Sequence, residues 1–547
     1  MKKIYTSFVL LACMGAFAQN TVGTTLNTAE ALQGYTLFSP VHTTLPDYTY
    51  LIDNCGRVVN SWESPNHRNA QFSYLNNDGT MVKSVFDNAS TLFYGGVSGG
   101  LQKFDWDGSL LWSARISDTD YSFHHDYVQL PNGNLLIMVA YRMTNQEALD
   151  AGRNPSTLTN DNGALYDERI QEIELVGNNA YNIVWEWRLW DHLVQDFDNT
   201  KNNFDNPADH PELLDVNYIG SILPNVADWW HLNAMDYNPV RDEIVVSSRF
   251  LSEIYIIDHS TTTAEAAGHT GGNRGKGGDF LFRWGNPAAY RAGTGSDQQF
   301  FGQHGSKWIT QGSNQGKIIV FNNGNGRGYS TVNIINPSFD VNGNYLMANG
   351  TFLPVTSDYV WENEPVNTDF FATFLSNATQ LPNNNIFVNN GPRGIFFEVD
   401  ENGNKVWEYK IPIIGTGILS QGDPHTDIRI TQAEKYSADH PAFSGRDLTP
   451  QAEIELNPQP QNCQLFLSTD TVTLESIVLY PNPVSNQISW QSQIPAKEVQ
   501  VIDLSGKVLV NSQPVNSSID VSTLAPGVYI VKITSEKASF SLSLIHI

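Results

Sequence analysis

The chain has 547 residues, of which 40% are hydrophobic and 16% charged, and its formal net charge is −26. That length accommodates one large domain and a smaller one. So negative a field repels nucleic acid and anionic membranes, and an anionic substrate would need a local cationic pocket to overcome it.

Residues 1–18 read as a signal peptide: Lys2-Lys3 is the basic start, Phe8–Ala12 lies in the apolar stretch, and Ala16-Phe17-Ala18 is an A-x-A cleavage site. Leu10-Leu11-Ala12-Cys13 offers a competing lipoprotein box. No later run has the length of a membrane span. The exported chain keeps Cys55 and Cys463 in an oxidising compartment, where they either pair and tie together the ends of the main domain or stay separate thiols.

Residues 19–444 repeat one pattern. One half is a strand, a turn rich in Asn, Gly and Pro, and a second strand, as in Val128–Met138, Phe339–Met347 and Thr379–Val388. The other half is an alternating strand, an Asp or Asn turn, and a strand carrying tryptophan. It occurs from Tyr50 to Trp62, Leu101 to Trp112, Ile173 to Trp185 and Trp187, and Phe396 to Trp407. Alternation with such turns signals antiparallel strands, and two halves make a four-stranded sheet. About six sheets recurring at this spacing predict an all-β fold, a six-bladed β-propeller. The copy near residue 50 is expected to pair with strands near 425–435, closing the ring and removing its exposed edges.

Histidines stand near the starts of three successive segments: His124-His125-Asp126, Trp230-His231-Leu232-Asn233 and Gln303-His304-Gly305. The innermost strand of each blade would line a central cavity, its residues alternating between cavity and blade. His231 and Asn233 then share a face. Arg249, on the strand expected over 243–250, returns beside His231 if the hairpin closes near Pro239-Val240. Either His124 or His125 faces inward. Imidazoles, an amide and a guanidinium at one place suit a tetrahedral oxyanion, since Arg offers a rigid fork of donors and a neutral imidazole can attack sulfur or phosphorus. Trp229, Trp230 and Trp308 are candidates to stack on an aromatic group. The bland alternatives are histidines packed as satisfied polar core, or a metal site, which lacks the usual His-x-His spacing here. Gly271–Gly278 is not spaced as a P-loop and reads as a surface or channel-mouth loop that could gate entry.

Residues 445–470, with Pro450, Pro458 and Pro460, read as a linker, and residues 471–547 as a small all-β unit. Its motifs Leu479-Tyr480-Pro481-Asn482-Pro483, Val501-Ile502-Asp503-Leu504-Ser505-Gly506 and Leu524-Ala525-Pro526-Gly527-Val528-Tyr529-Ile530 resemble the type A C-terminal sorting domain of the type IX secretion system. The resemblance implies an Ig-like β-sandwich and export by that machinery, to release or to the cell surface. The usual basic end is missing, because the chain finishes Ser543-Leu544-Ile545-His546-Ile547.

Residues 30–440 resemble the bacterial arylsulfate sulfotransferases. The resemblance rests on Trp229-Trp230-His231-Leu232-Asn233, Ser247-Ser248-Arg249, the run Gly277–Pro287 and Gln303-His304. It implies a six-bladed propeller in which His304 is the nucleophile, carrying a transient sulfuryl group. His231, Asn233 and Arg249 then match oxyanion and proton-handling residues, and His124-His125 a further channel histidine. The implied cycle is ping-pong, from a phenolic sulfate to a phenolic acceptor, with no nucleotide donor, cofactor or metal, and homodimers occur in the family. The family's further hydroxyl residue has three candidates, Thr373, Ser376 and Thr379, expected on the fifth blade, and its closely spaced disulfide is absent. A non-catalytic secreted propeller binding glycans or proteins is the alternative. A quinone-dependent dehydrogenase is disfavoured, for want of clustered acids to hold calcium.

Overall fold

The computed structural model describes residues 20–41, 47–64, 66–92, 94–158, 164–220, 222, 227–362, 370–415, 417–426, 428–459, 463, 478–491, 496–503, 507–513, 517–534 and 539–547. The expected signal peptide lies outside them. The chain divides into two compact units, Met1–Phe466 and Leu467–Ile547.

Among the described residues the first unit holds six antiparallel sheets with a four-stranded core in simple order, and three two-stranded sheets besides. The second sheet runs Arg68–Leu75, Met81–Phe86, Gly99–Phe104, Leu110–Arg115, and the third Tyr121–Gln129, Leu135–Thr144, Ala164–Val176, Ala180–Arg188. The fourth is Leu232–Asn238, Glu243–Ser248, Glu253–Asp258, Phe282–Trp284, and the fifth His304–Trp308, Ile318–Asn322, Thr331–Ile335, Tyr359–Trp361. The sixth is Asn377–Gln380, Ile386–Asn390, Ile395–Val399, Lys405–Lys410, with Gly23–Asn27 added at its edge. The first sheet takes its leading strand, Ala433–Ser437, from the far end of the unit and pairs it with Gly34–Phe38, ahead of Asp47–Asp53 and Val58–Ser64. The late strand expected to meet the copy near residue 50 is thus Ala433–Ser437, and it meets Gly34–Phe38 instead, one strand before that copy.

The recurrent tryptophan explains how the sheets join. Each sheet carries at least one on its fourth strand, and one indole N–H there donates to a backbone carbonyl of the following sheet or its connections. Trp62 reaches Asp105, Trp112 reaches Ala180, and Trp187 reaches Gly278, at 2.8, 2.9 and 2.7 Å. Trp284 reaches Pro354, Trp361 reaches Gly403, and Trp407 returns to Asn54 beside the first sheet, at 2.6, 3.4 and 2.8 Å. The order is cyclic and gives a propeller-like arrangement. Each bond is worth about 1 kcal/mol, and the buried indoles add more through their area. Sheets covered on both faces lose the strict polar–apolar alternation, and Glu243–Ser248 and Glu253–Asp258 are buried at every position.

Two expectations on organisation change. Phe339–Met347 is not a repeat half: Phe339 and Tyr345 form an isolated bridge, and Met347–Ala348 pairs with Thr351–Phe352 in a separate hairpin within the fifth sheet's last connection. The head of the expected linker packs on the first unit, where Gln451 donates to Val58, Val58 donates to Ala452, and Ile454 is buried. Cys463 is disulfide-bonded to Cys55, with Cα atoms 5.6 Å apart. The second unit holds a three-stranded and a four-stranded sheet around one core that includes Ile488, Trp490, Val501, Val531 and Leu544.

Candidate active site

The leading strands of the third, fourth and fifth sheets bend at the same place. Pairing slips between Ile137 and Met138, between Leu232 and Ala234, and between His304 and Lys307. A bulge of this kind re-aims side chains at the rim of a sheet. His125 (φ 49°) and His231 (φ 52°) are held there in the left-handed region, and Gly305 (φ 62°) follows His304. These strands also pack side by side, as carboxylates on one accept backbone N–H groups of the next: Asp126 from Met235 at 3.2 Å and Asp236 from Trp308 at 2.7 Å.

The imidazoles converge as the sequence suggests. His125 and His231 meet edge to face with ring centroids 4.9 Å apart. His304 is close enough to both for their charges to couple. The choice between His124 and His125 is settled by their partners. His124 is turned into the third sheet, where its Nε2 meets Glu168 at 2.8 Å, so its proton sits there. Its Nδ1 then accepts from Nδ1 of His125 at 2.9 Å. His125 therefore faces His231, and His124 positions it.

The tautomer of His304 is fixed from behind. Asn323 donates its amide hydrogens to the carbonyls of Ala372 (2.7 Å) and Leu375 (3.1 Å), so its oxygen must be the atom facing His304. That oxygen lies 2.7 Å from Nδ1, which therefore carries the hydrogen and leaves a lone pair on Nε2. At rest the Leu375 N–H donates to that lone pair at 3.2 Å. Leu375 (φ 58°) and Ser376 (φ 85°) are themselves in the left-handed region, so this donor is held by strained backbone. Burial, reinforced by the Arg249 and His231 charges, holds the His304 pKa well below the ordinary 6.5, and the ring is neutral at pH 7. Burial and the neighbouring His231, His124, His304 and Arg249 do the same to His125.

His231 has an acidic partner three residues earlier: Asp228 lies 2.5 Å from Nδ1, leaving Nε2 as the other ring nitrogen. Its ring stacks on Phe250, with centroids 4.4 Å apart. Arg249 returns beside it as expected, its backbone N–H donating to the His231 carbonyl at 3.0 Å. The guanidinium is half-buried and lies over Phe250. One terminal nitrogen donates to the Thr373 carbonyl at 3.2 Å, while Nε is buried with no protein acceptor. Asn233 departs from a simple oxyanion role, because its Nδ2 is spent on the Gln303 carbonyl at 2.7 Å, holding the segment before His304. Its Oδ1 is buried and has no protein donor.

Glycines make room for the rings. A Cβ on Gly96 (φ +72°) would stand 2.1 Å from Cε1 and Nε2 of His125, and one on Gly95 would stand 2.8 Å from Cε1 of His231. Further along the same inner strands lies a layer that the sequence reading missed. Lys307 contacts the Tyr74 hydroxyl at 2.5 Å and Glu434 at 3.7 Å, and Tyr74 donates to Asp126 at 2.7 Å. Burial opposes the Lys307 charge, but Asp126, Glu434 and Asp236 outweigh it and raise its pKa. Only the packed centre brings these residues together; their one sequence signal is a lone charge on an inner strand.

Other expectations are corrected. Trp230 and Trp308 belong to the cores between sheets, and Trp229 donates to the Tyr166 carbonyl and packs on Arg153. Neighbours along a strand point to opposite faces, so residues beside an inward histidine point away from it. Thr373, Ser376 and Thr379 lie at the head of the sixth sheet, not in the fifth. Ser376 Oγ accepts from the Gly391 N–H, Thr373 is exposed, and Thr379 Oγ1 is buried with no partner. The Gly271–Gly278 loop joins the third strand of the fourth sheet to its outer strand, away from the inner strands. It is pinned there, with Arg274 N–H donating to Asp258 and its Nε to Glu243, both at 2.8 Å. The run that follows is scaffold: Arg283 is buried against Glu253, and Asn286 donates to the Leu251 carbonyl.

A family model described as Arylsulfotransferase (ASST) matches residues 20–436, and one described as Secretion system C-terminal sorting domain matches residues 478–546. Such a tail marks a protein exported to the cell surface or beyond it, and no helix of the described residues is long and apolar enough to cross a membrane. No curated protein matches the chain. Among solved structures, it is similar to a protein of unknown function from Bacteroides caccae, at 12% identity over 70% of this chain and 94% of that one, with a TM-score of 0.36. The periplasmic gluconolactonase of Pseudomonas aeruginosa matches at 10% identity over 73% and 98% of the two chains, TM-score 0.32. Virginiamycin B lyase from Staphylococcus aureus matches at 10% over 72% and 88%, TM-score 0.31.

Proposed function

We propose, because this chain belongs to the arylsulfotransferase (ASST) family, that it moves a sulfuryl group from a phenolic sulfate ester to a phenolic acceptor through a covalent adduct on His304. The six sheets are read as the blades of a propeller whose axial cavity is the active site. The observation that carries the reading is the tautomer of His304: a neutral buried ring with its proton tied to Asn323 presents Nε2 as a nucleophile.

In the first half-reaction Nε2 attacks sulfur, the N–S bond forms, and the S–O bond to the aryl group breaks. The leaving phenoxide would otherwise depart as the base of an acid with a pKa of about 10, so a proton delivered in the transition state lowers the barrier. His231, with Nδ1 held by Asp228, is placed to deliver it from Nε2. Arg249 supplies fixed positive charge and an unspent Nε–H to the sulfuryl oxygens. The Leu375 N–H, released from Nε2 once sulfur occupies it, stands beside the same oxygens. In the second half-reaction an acceptor phenol returns its proton to His231 and takes the sulfuryl group, restoring both histidines. Phe250, buried beneath His231 and Arg249, backs both side chains.

The test is turnover of p-nitrophenyl sulfate with phenol as acceptor. The parent should release nitrophenol in a phenol-dependent manner. His304→Ala should lose at least about 10³-fold in kcat/KM, since removing a covalent nucleophile leaves only binding and electrostatic contributions. An unchanged rate in that variant, with its folding verified, would refute the assignment.

A further inference from the structure

Outside the cavity, His192, His269 and Asp279 bring two imidazoles and a carboxylate to one point, with their ligand atoms all within 4.8 Å of one another. They come from distant parts of the chain. His192 follows the 3-10 turn Leu189–Asp191 at the end of the third sheet's outer strand. His269 and Asp279 lie in the connection between Glu253–Asp258 and Phe282–Trp284 of the fourth sheet. Both Nδ1 atoms stand 2.8 Å from the same oxygen, Oδ1 of Asp279.

The tautomers make this arrangement unusual. The His192 ring is fully buried, stacked on Trp187 with an interplanar angle of 2°, and its Nε2 is 2.8 Å from the Ala266 carbonyl. A carbonyl only accepts, so Nε2 carries the hydrogen, and a neutral ring then turns a lone pair on Nδ1 toward a carboxylate oxygen. Two acceptors in contact need a cation between them. The nearby His210 differs: its nitrogens meet separate carboxylates, Glu212 at 2.9 Å and Asp205 at 3.2 Å, and its pKa is raised, as in an ordinary ion-paired imidazolium.

We propose that His192, His269 and Asp279 form a binding site for a first-row divalent transition ion, with zinc the best match to two imidazole nitrogens and one carboxylate oxygen. Calcium and magnesium prefer oxygen-only ligand sets. The Nε2–H bond of His192 to a carbonyl is the usual outer partner of a metal-binding imidazole, fixing the tautomer that frees Nδ1. Gly278 fits the same purpose, because a Cβ there would stand 2.5 Å from His192 Nε2. His269 is 61% exposed and lines a cleft of ≈ 890 Å³, where Asp150 and Asp191 are paired with Lys201 and Arg188 and Glu147 also stands. The exposed His269 ring leaves a coordination position open to water or a small ligand. The ion would join the third and fourth sheets beside the Trp187–Gly278 hydrogen bond.

The test uses the untagged full-length protein, stripped with a chelator and titrated with zinc by calorimetry, with cobalt added separately as a spectroscopic probe. One zinc per chain, a raised thermal midpoint and the visible absorption of four-coordinate cobalt are expected. His269→Ala, altered at an exposed ring, should weaken zinc binding about 100-fold or more, and His210→Ala in the same cleft should leave it unchanged. Absence of stoichiometric binding by the parent, equal affinity in His269→Ala, or equal competition by magnesium would overturn the site and leave a proton-bridged His192–Asp279 pair. If His269→Ala fails to fold, the cobalt spectrum of the parent decides: tetrahedral nitrogen–oxygen bands sustain the site, and the spectrum of hydrated cobalt removes it.

Discussion

At the scale of single residues, the reactivity of His304 rests on where one hydrogen sits, and Asn323 decides that by spending its own hydrogens on two carbonyls. Keeping His304 and His125 neutral has a consequence for stability. Their folded pKa values lie well below 6.5, so below about pH 6.5 the unfolded chain binds protons that the native chain refuses. Stability contributed by these rings is therefore complete above that pH and is lost as pH falls toward the folded values, at up to about 1.4 kcal/mol per pH unit for each ring. Asp236, raised by burial to about 6, and Glu455, raised by burial to about 7, act in the opposite sense, adding stability at low pH that fades as pH rises. They are common to parent and variant and cancel in a comparison. His304→Gln should thus flatten the fall of the thermal midpoint between pH 6.5 and 5, measured by calorimetry, and parallel profiles would contradict the burial argument. Of this site, His231 and His304 were legible because their positions recur against the strand pattern, and Arg249 because the hairpin after His231 returns it there. Asp228 was visible three residues before His231 but was passed over beside two tryptophans. Asn323, Glu168 and Leu375 were not legible, because their roles depend on approaches that only packing between distant strands creates.

At the scale of elements, the bulges of the third, fourth and fifth inner strands are the device that aims the imidazoles, and the Gly95-Gly96 turn is their cover. Gly96 is required twice, by its φ of +72° and by the 2.1 Å that would separate a Cβ from the His125 ring. Gly96→Ala should displace His125 and lower kcat about 10²-fold, the usual scale for a misplacement near 1 Å. It should cost roughly 1 kcal/mol or more in stability through the left-handed backbone. Steady-state kinetics with p-nitrophenyl sulfate and a thermal melt check both, and a fully active variant would show that His125 is not needed in its observed place. The strands themselves were legible where a turn and a tryptophan repeat together. The pattern failed at Phe339–Met347, where a local hairpin carries the same turn chemistry without belonging to a sheet of the ring.

At the scale of the whole molecule, six tryptophan hydrogen bonds run in cyclic order through the first unit, and Ala433–Ser437 completes the first sheet from the other end of the chain. The Cys55–Cys463 disulfide fastens the same region across a sequence separation of 408. Cys463→Ser should therefore lower stability by about 2–5 kcal/mol, and reductant should lower the parent's melting temperature but not the variant's; equal melting of parent and variant would show that strand pairing alone suffices. The all-β character was readable from the repeat, but the strand that meets the late one is Gly34–Phe38 rather than the copy near residue 50. The disulfide was one of two open outcomes, since spacing alone cannot bring cysteines so far apart into register. The chain divides after Phe466, and the start of the proline-rich stretch packs on the first unit. The most direct measurement is intact-mass and peptide mass spectrometry of the protein quenched shortly after mixing with an aryl sulfate and no acceptor. A gain of one sulfuryl group on His304, discharged when phenol is added, is the expected result. A protein that releases phenol while its mass never changes, or that carries the group on another residue, would contradict the proposed chemistry.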